Sequence, residues 1–252
     1  MIVRERKKEF IVIEQHEHAI ISGIFAKKWD DRYFIGGERR KDVELAIQNH
    51  DGCWRELDNL RLYIPQKQIP ASFINYPLLQ KIEAYRNGVD SIEGENKYAA
   101  LLISMHYSSF FESKLDEDGR AFKYGEEKRQ SNLYKTIHNL DVKSVNFHFD
   151  LLQFCDNLSL YICMNEWGCR KEEEISWFKD GFPQKLEPFE GERFYATWKN
   201  DDTVQLTPYP FNQESVTVEI PYKQIKRKEA NDIAKMYSKI PYKRKLVTFV
   251  SE

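Results

Sequence analysis

The sequence predicts an α+β fold in which a mostly helical body is followed by a β-rich extension. Apolar residues recur at helical spacing in several segments before residue 166. After Gly168 the chain changes to short segments that alternate apolar and polar residues and are rich in β-branched and aromatic types. We therefore expect a helical body over residues 1–168 and a β-rich extension, packed on that body, over residues 169–252.

The body is predicted to begin with a β-hairpin and to continue as helices. In the opening segment MIVRERKKEFIVIEQ, two short apolar runs flank a charged turn, which is typical of a hairpin that can join the sheet of the extension. Helical spacing then predicts helices over residues 16–29, 41–50, 78–88, 97–111, 126–140 and 145–166. Gly88 is expected to end the third helix. The prolines between the second and third helices predict turns, and the charged segment 115–125 predicts a loop.

The extension is predicted to be a small sheet with one helix. The segments RFYATW, TVQLTPY, SVTVEIPY and the terminal KLVTFV have the composition and alternation of strands. The polar run Lys199-Asn200-Asp201-Asp202 is typical of a turn between the first two strands. Residues 223–240 predict a single helix.

Composition limits the classes of protein to consider. The 252 residues can bury a sizeable core. The 38 basic and 40 acidic residues give a net charge of -2, which argues against a nucleic-acid partner or an anionic membrane surface. No apolar run approaches the roughly 20 residues of a membrane helix, and no secretory signal opens the chain. The four cysteines form no CxxC pair. We expect a cytoplasmic protein with reduced thiols, and its oligomeric state stays open.

Four titratable side chains fall on the apolar stripes of predicted helices, three or four residues from apolar neighbours. They are His18, His50, His106 and Asp156. His50, for example, continues the stripe of Val43 and Ile47. His16 is expected off the inner face of the first helix or just before it, and His138 and His148 are expected in more polar or uncertain surroundings.

The four residues together predict a metal site. A lone histidine on an apolar face is usually hydrogen-bonded within the core. A buried carboxylate such as Asp156 is more demanding, because it needs an arginine, a hydrogen-bond network or a metal. Four such residues from four helices, with Asp51 beside His50, form a candidate cluster of imidazole and carboxylate ligands. This ligand set suits a divalent cation such as Mn, Fe, Co, Ni, Zn or Mg, and the lack of thiolates disfavours a structural zinc site.

The order His18, His50-Asp51, Asp156 resembles the HD superfamily of metal-dependent phosphohydrolases. The chain as a whole looks like the uncharacterised bacterial family of domain of unknown function 3891. The segments that carry this second resemblance are IEQHEHAIISG, NHDGCW, NKYAALLISMHYSSF and FDLLQFCDNLSLYICMNE. The resemblance to HD proteins implies an HD-like helical body, a divalent cation and a small phosphorylated substrate.

The HD resemblance implies a role for each candidate residue. His18, His50, Asp51 and Asp156 would bind the cation. His106 and Asp51 are the catalytic candidates, and His106 would bind a second metal, contact the phosphate or act as a general acid. For the substrate, the candidates that follow these residues in the sequence are Trp54, Arg55 and Tyr107.

Two other classes of function stay open. The first is a non-catalytic protein that binds a metal or a nucleotide with the same cluster. The second is a thiol hydrolase that uses Cys53, three residues after His50. Such a thiol would need a lowered pKa. The sequence lacks the GxxxxGK[ST] phosphate loop, the GxGxxG dinucleotide motif and the GxSxG nucleophile motif.

Overall fold

The computed structural model describes residues 1–111 and 116–251, and these residues have the α+β fold that the sequence predicts. The helices, numbered along the chain, are α1 Gln15–Lys28, α2 Arg40–Asn49, α3 Trp54–Leu60, α4 Leu78–Glu95, α5 Lys97–Ser109, α6 Glu117–Thr136, α7 Val142–Met164, α8 Ser176–Lys179 and α9 Ile233–Met236. The strands are β1 Ile2–Glu5, β2 Glu9–Ile13, β3 Tyr63–Ile64, β4 Ile69–Pro70, β5 Tyr195–Trp198, β6 Thr203–Thr207, β7 Ser215–Lys226 and β8 Lys243–Val250.

Helix α7 lies at the centre of the helical part. It is apolar on most of its faces, and a helix of that kind has to be enclosed by other elements. Helices α1, α2 and α5 pack against it. Its start is fixed by Asp141, whose carboxylate accepts the backbone N–H of Ser144 at 2.9 Å. Helix α5 is capped in the same way, because the side chain of Asn96 accepts the N–H of Ala99 at 2.9 Å. The packing of α1, α2 and α5 on α7 places these four helices around one interior.

The six-stranded sheet joins the two ends of the chain. Its strand order is β1-β2-β7-β8-β6-β5. The N-terminal hairpin enters it where β2 pairs antiparallel with β7, with Phe10 opposite Ile225. The hairpin prediction is therefore confirmed. Helix α1 packs against β7, so the sheet lies beside the first helix. Residues on both sides of position 168 share one apolar core, for example Leu152 and Ile220. The domain boundary at that position stays a prediction.

Helix α4 shows that Gly88 has a packing role. The sequence predicted that Gly88 ends the helix, but α4 continues to Glu95. A Cβ atom at position 88 would lie 2.7 Å from the Cβ atom of Cys53. The glycine therefore lets α4 approach the chain just before α3, and the prediction of a helix end there was wrong.

The predicted loop over residues 115–125 was also wrong for its described part. Helix α6 begins at Glu117, and Asp116 caps it by accepting the N–H of Gly119. Acidic residues such as Glu117 and Asp118 are favourable in the first turn of a helix, so the charges that indicated a loop instead support the helix start. Residue 115 lies outside the described part of the chain.

The C-terminal helix predicted over residues 223–240 was wrong as well. Residues up to Lys226 belong to β7 and pair with β2, so strand pairing outweighs the local helical pattern. A turn of 3₁₀ helix over Arg227–Asp232 and the short helix α9 follow. Conversely, α3 was not predicted, because the sequence around it indicated turns. The four strands predicted for the extension are all present.

Candidate metal centre

The residues predicted as metal ligands come together in the interior of the helical part. His18 lies on α1, the His50-Asp51 pair directly follows α2, and Asp156 lies in the middle of α7. His106, from the last turn of α5, joins them. None of these five residues is more than 9% exposed. The prediction that these polar residues face inward is therefore confirmed.

The first half of the cluster consists of His18, His50 and Asp51. Nε2 of His18 lies 2.9 Å from Oδ2 of Asp51, and Nε2 of His50 lies 4.0 Å from the same oxygen. Each of the three residues offers one ligand atom, and these atoms all lie within 4.8 Å of one another. Three buried donors at this spacing could hold a metal ion.

The second half shares His50 with the first. Nε2 of His50 lies 3.3 Å from Oδ1 of Asp156, and Nε2 of His106 lies 3.7 Å from the other oxygen, Oδ2. These three residues also offer ligand atoms within 4.8 Å of one another. Because His50 belongs to both groups, the five side chains form one continuous cluster, which we call the His/Asp cluster.

The orientation of His50 leaves one ring nitrogen available. Its Nδ1–H donates to the backbone carbonyl of Ile47, at 2.7 Å. Its Nε2 is buried and has no hydrogen-bond partner among the described residues, although Oδ1 of Asp156 is near. A backbone carbonyl on one nitrogen is the usual way in which a metal-binding histidine is held so that the other nitrogen faces the metal.

The orientation of His18 is set by two serines. Ser159 donates its hydroxyl proton to the backbone carbonyl of Asp156 at 2.8 Å. Its oxygen therefore accepts from Nδ1–H of His18 at 2.9 Å. Ser22 lies 2.9 Å from the same hydroxyl oxygen. Nε2 of His18 is then directed at Asp51 and lies 2.9 Å from Oδ2 of that residue.

Gln15 is a member of the site that sequence reasoning missed. Its side-chain NH₂ donates to Oδ2 of Asp51 at 2.8 Å and lies 3.1 Å from Nε2 of His18. Its own backbone N–H donates to Asp58 at 2.6 Å, which fixes the start of α1. A search restricted to titratable residues cannot find a glutamine. The available signal was its place three residues before His18, on the same helix face.

The electrostatics of the cluster depend on burial and on the two carboxylates. Burial alone would lower the pKa of His50, but the adjacent carboxylate of Asp156 and the charge of Asp51 raise that pKa to about 9. Burial would raise the pKa values of Asp51 and Asp156, and the histidines outweigh it and lower both. Burial lowers the pKa of His106 to about 4. The carboxylates are therefore ionised, and cationic groups stabilise them.

A cavity of about 420 Å³ borders the His/Asp cluster. Asp51, His106 and Asp156 line it directly, together with Gln15. Trp54, a predicted substrate residue, also lines this cavity. The cluster is therefore accessible to a small molecule from one side.

Arg55 and Tyr107, the other two predicted substrate residues, line a different pocket. The guanidinium of Arg55 donates to Nε2 of His16 at 2.8 Å. The hydroxyl of Tyr107 donates to the backbone carbonyl of His50, so Tyr107 supports the His50 backbone. The structure thus brings only Trp54 of the three to the cavity beside the cluster.

Cys53 lacks the environment of a nucleophilic thiol. Burial raises its pKa well above the usual range, and the negative charge of Asp51 acts in the same direction. Its sulfur lies 3.0 Å from the hydroxyl oxygen of Tyr107. Since the thiolate is the reactive form, these surroundings weigh against the thiol-hydrolase alternative.

The comparisons with known proteins identify a family. The family model described as protein of unknown function (DUF3891) matches residues 1–227, which is most of the chain. No curated protein and no solved structure matches the chain. In the described residues, the helices are too short or too polar to cross a membrane. The chain belongs to the DUF3891 family.

Proposed function

We propose that the protein is a metal-dependent phosphohydrolase of the HD type that acts on a small phosphorylated substrate. His18, His50, Asp51 and Asp156 bind one divalent cation in this proposal. The observation that carries it is the buried Nε2 of His50, which makes no hydrogen bond among the described residues and faces two carboxylates, with Oδ1 of Asp156 at 3.3 Å and Oδ2 of Asp51 at 4.0 Å. A buried polar atom without a hydrogen bond is rare in proteins, and a cation between this nitrogen and the carboxylates would supply the missing interaction.

Within each of the two groups of three that share His50, the spacing of the donor atoms fits a cation. Neighbouring ligands on a metal with bonds of about 2.1 Å lie about 3.0–3.4 Å apart, and opposite ligands about 4.2 Å apart. The distances from Nε2 of His18 to Asp51 and from Nε2 of His50 to Asp156 are 2.9 and 3.3 Å. The distance between Nε2 of His50 and Oδ2 of Asp51 is 4.0 Å. These values are near those of adjacent and opposite ligands.

The donor set suits Mn, Fe, Co, Ni, Zn or Mg, because it combines imidazole nitrogens with carboxylate oxygens. A cation at this position supplies Lewis acidity for a phosphoryl oxygen and lowers the pKa of water. In the overall hydrolysis, water adds to phosphorus, the ester P–O bond breaks and the leaving oxygen takes a proton. The products are an alcohol and inorganic phosphate.

The protein's own groups position the reactants. Gln15 holds Asp51 by donating to Oδ2, and Ser159 holds His18 at Nδ1. His106 lines the cavity, and its Nδ1 has no hydrogen-bond partner among the described residues. Because burial lowers the pKa of His106 to about 4, the neutral ring is favoured. We assign His106 to contact the phosphate or to add a ligand to the cation, and both roles use the neutral ring.

The proposal is tested by cation content and by turnover. Wild-type protein equilibrated with Mn²⁺ and desalted is expected to retain about one equivalent and to hydrolyse members of a phosphomonoester panel. The His50→Ala variant should lose both properties, while His148→Gln, which changes another buried histidine, should keep both. Stoichiometric cation without turnover of any ester would overturn the hydrolase proposal and favour the non-catalytic alternative. Absence of bound cation would overturn the metal site itself.

A further inference from the structure

The cavity beside the His/Asp cluster is polar where it meets the cluster and apolar over most of the remaining wall. Aromatic side chains form much of that wall: Trp54, Phe73, Tyr85, Phe110, Phe111 and Trp177. Ile74, Leu78 and Leu160 add aliphatic surface. An apolar, concave surface next to a few convergent polar groups is the usual form of a site for an organic ligand.

The aromatic wall begins at the cluster itself. The rings of His106 and Phe110 lie edge to face, with centroids 4.7 Å apart. Phe110 then contacts Tyr85 with centroids 6.1 Å apart, and Tyr85 contacts Trp54 at 6.2 Å. A ligand that reaches His106 with one end would therefore lie along aromatic surface with its other end.

Part of this wall is exposed to solvent. Trp177 is 50% exposed, Ile74 57% and Phe110 41%. The rings of Trp177 and Phe73 are in edge contact, 6.3 Å apart. Exposed apolar side chains that cluster around one opening cost free energy in water and usually mark a binding surface. Here they border the cavity that reaches the cluster.

The charges along the cavity favour a ligand with one phosphoryl group. Among the described residues that line the cavity, Lys81 is the only cationic side chain, and its ammonium donates to the carbonyl of Phe73 at 3.2 Å. Arg55 lies in a different pocket. Recognition of a polyphosphate uses several cationic side chains. The cavity does not bring such a set together from the described residues.

The polar groups of the wall are few, which disfavours a ligand rich in hydroxyl groups. The amide of Asn157 already donates to Gln184 at 3.2 Å. A sugar hydroxyl placed against the aromatic wall would lose its hydrogen bonds to water without replacing them.

We propose that the substrate is a phosphomonoester with an apolar, ring-bearing body, which lies along the aromatic wall while the phosphoryl group meets the cluster. This inference rests on the proposed function, which supplies the reaction at the phosphoryl end. The ring replaces water against Trp177 and Ile74, so these two residues discriminate substrates without contacting the phosphorus.

The test uses the Mn²⁺-loaded protein with 1-naphthyl phosphate, glucose 6-phosphate and a nucleoside triphosphate as substrates. A phosphonate analogue, 1-naphthylphosphonate, measures binding without turnover. In the Trp177→Ala variant, the KM for 1-naphthyl phosphate should rise about tenfold with kcat within twofold, because a ring contact is lost in both ground and transition states. The matched control Tyr195→Ala removes an aromatic residue that is 47% exposed on β5 and outside the cavity, and it should change neither constant.

The outcomes separate this inference from the proposed function. Binding of the phosphonate that weakens about tenfold in Trp177→Ala, where no ester is hydrolysed, would support recognition of a ring-bearing phosphoryl ligand by the aromatic wall and would overturn the hydrolase proposal, and with it the role of this ligand as a substrate. Turnover of glucose 6-phosphate or the triphosphate as efficient as that of 1-naphthyl phosphate would overturn the inference and leave the hydrolase proposal intact. Turnover of 1-naphthyl phosphate that is unchanged in the Trp177→Ala variant would also overturn the inference.

Discussion

Two buried histidines, His50 and His148, show how a candidate site differs from the core around it. Both are fully buried. His148 uses both ring nitrogens with neutral partners. Its Nδ1 accepts from the hydroxyl of Tyr98 at 2.6 Å, and its Nε2–H donates to the carbonyl of Ile35 at 2.7 Å. His50 uses only Nδ1 in this way, and its other nitrogen faces carboxylates.

The two surroundings shift the pKa values in opposite directions. Burial lowers the pKa of His148 to about 4. For His50 burial acts in the same direction, but Asp156 and Asp51 outweigh it and raise the pKa to about 9. Burial alone therefore does not mark a functional histidine. In the proposed function an unused ring nitrogen beside fixed charge does, and the experiments below test this distinction and the packing around the His/Asp cluster.

The largest expected effect is the loss of cation binding in the Asp156→Asn variant. The substitution replaces an anionic ligand by a neutral amide of the same shape, so we expect the affinity for Mn²⁺ to fall more than 100-fold. Calorimetric titration measures this change. The control is His148→Gln, which should bind Mn²⁺ within twofold of wild type. Equal losses of Mn²⁺ affinity in the two variants would contradict the distinction between the surroundings of His50 and those of His148.

The next effect concerns the acid stability of the metal-free protein. The pKa of His148 is about 4 in the folded chain and about 6.5 when unfolded, so the unfolded state takes up the proton more readily. The stability that neutral His148 provides is complete above pH 6.5 and is lost as the pH falls toward 4, by at most about 3 kcal/mol.

Urea unfolding at several pH values checks this prediction. Between pH 7 and pH 4.5, the His148→Gln variant should lose less unfolding free energy than wild type, because it lacks the titrating ring. An identical pH dependence for both proteins would show that His148 is not held neutral by its surroundings.

Two glycines on α4, Gly88 and Gly94, allow the packing around the His/Asp cluster to be tested separately from metal binding. A Cβ at Gly88 would lie 2.7 Å from the Cβ of Cys53, next to the turn that follows His50-Asp51. Gly88→Ala should therefore lower the free energy of unfolding by about 1–3 kcal/mol. At Gly94 a Cβ meets no described atom within 4 Å, so Gly94→Ala should be neutral or stabilise by up to about 1 kcal/mol. Thermal unfolding measures both, and equal stability of the two variants would contradict the close approach at Gly88.

The smallest effect is expected from Gln15→Ala. Gln15 holds Asp51 and is not itself a proposed ligand, so its removal should weaken Mn²⁺ binding about tenfold and leave the stoichiometry unchanged. Gln205→Ala, a change on the sheet, serves as the control and should bind as wild type does. If Gln15→Ala abolished binding altogether, Gln15 would have to be treated as a ligand.

The sequence predicted most residues of the His/Asp cluster, because a buried polar residue on a helix continues the periodic spacing of its apolar neighbours. His18, His106 and Asp156 were found from their places on apolar helix stripes, and His50 from the stripe that leads to it. The α+β class followed from the change of periodicity at Gly168 in the same way. Such signals are local, so a single sequence carries them.

Features that depend on distant segments were missed. His148 was expected in more polar or uncertain surroundings, but it is buried and its Nε2–H donates to the carbonyl of Ile35, 113 positions away. Arg55 was chosen for its closeness to His50-Asp51 in sequence, yet α3 begins at Trp54 and carries Arg55 to another pocket. The strand pairing that replaced the predicted helix after residue 223 likewise comes from the N-terminal hairpin. Tertiary contacts decided each case.

Anomalous diffraction from crystals grown with Mn²⁺ tests the central claim most directly. We predict a peak within about 2.0–2.3 Å of Nε2 of His50 and of a carboxylate oxygen of Asp156, with no equivalent peak at His148. Well-diffracting crystals of a protein saturated with Mn²⁺ that showed no peak at the His/Asp cluster would contradict the account.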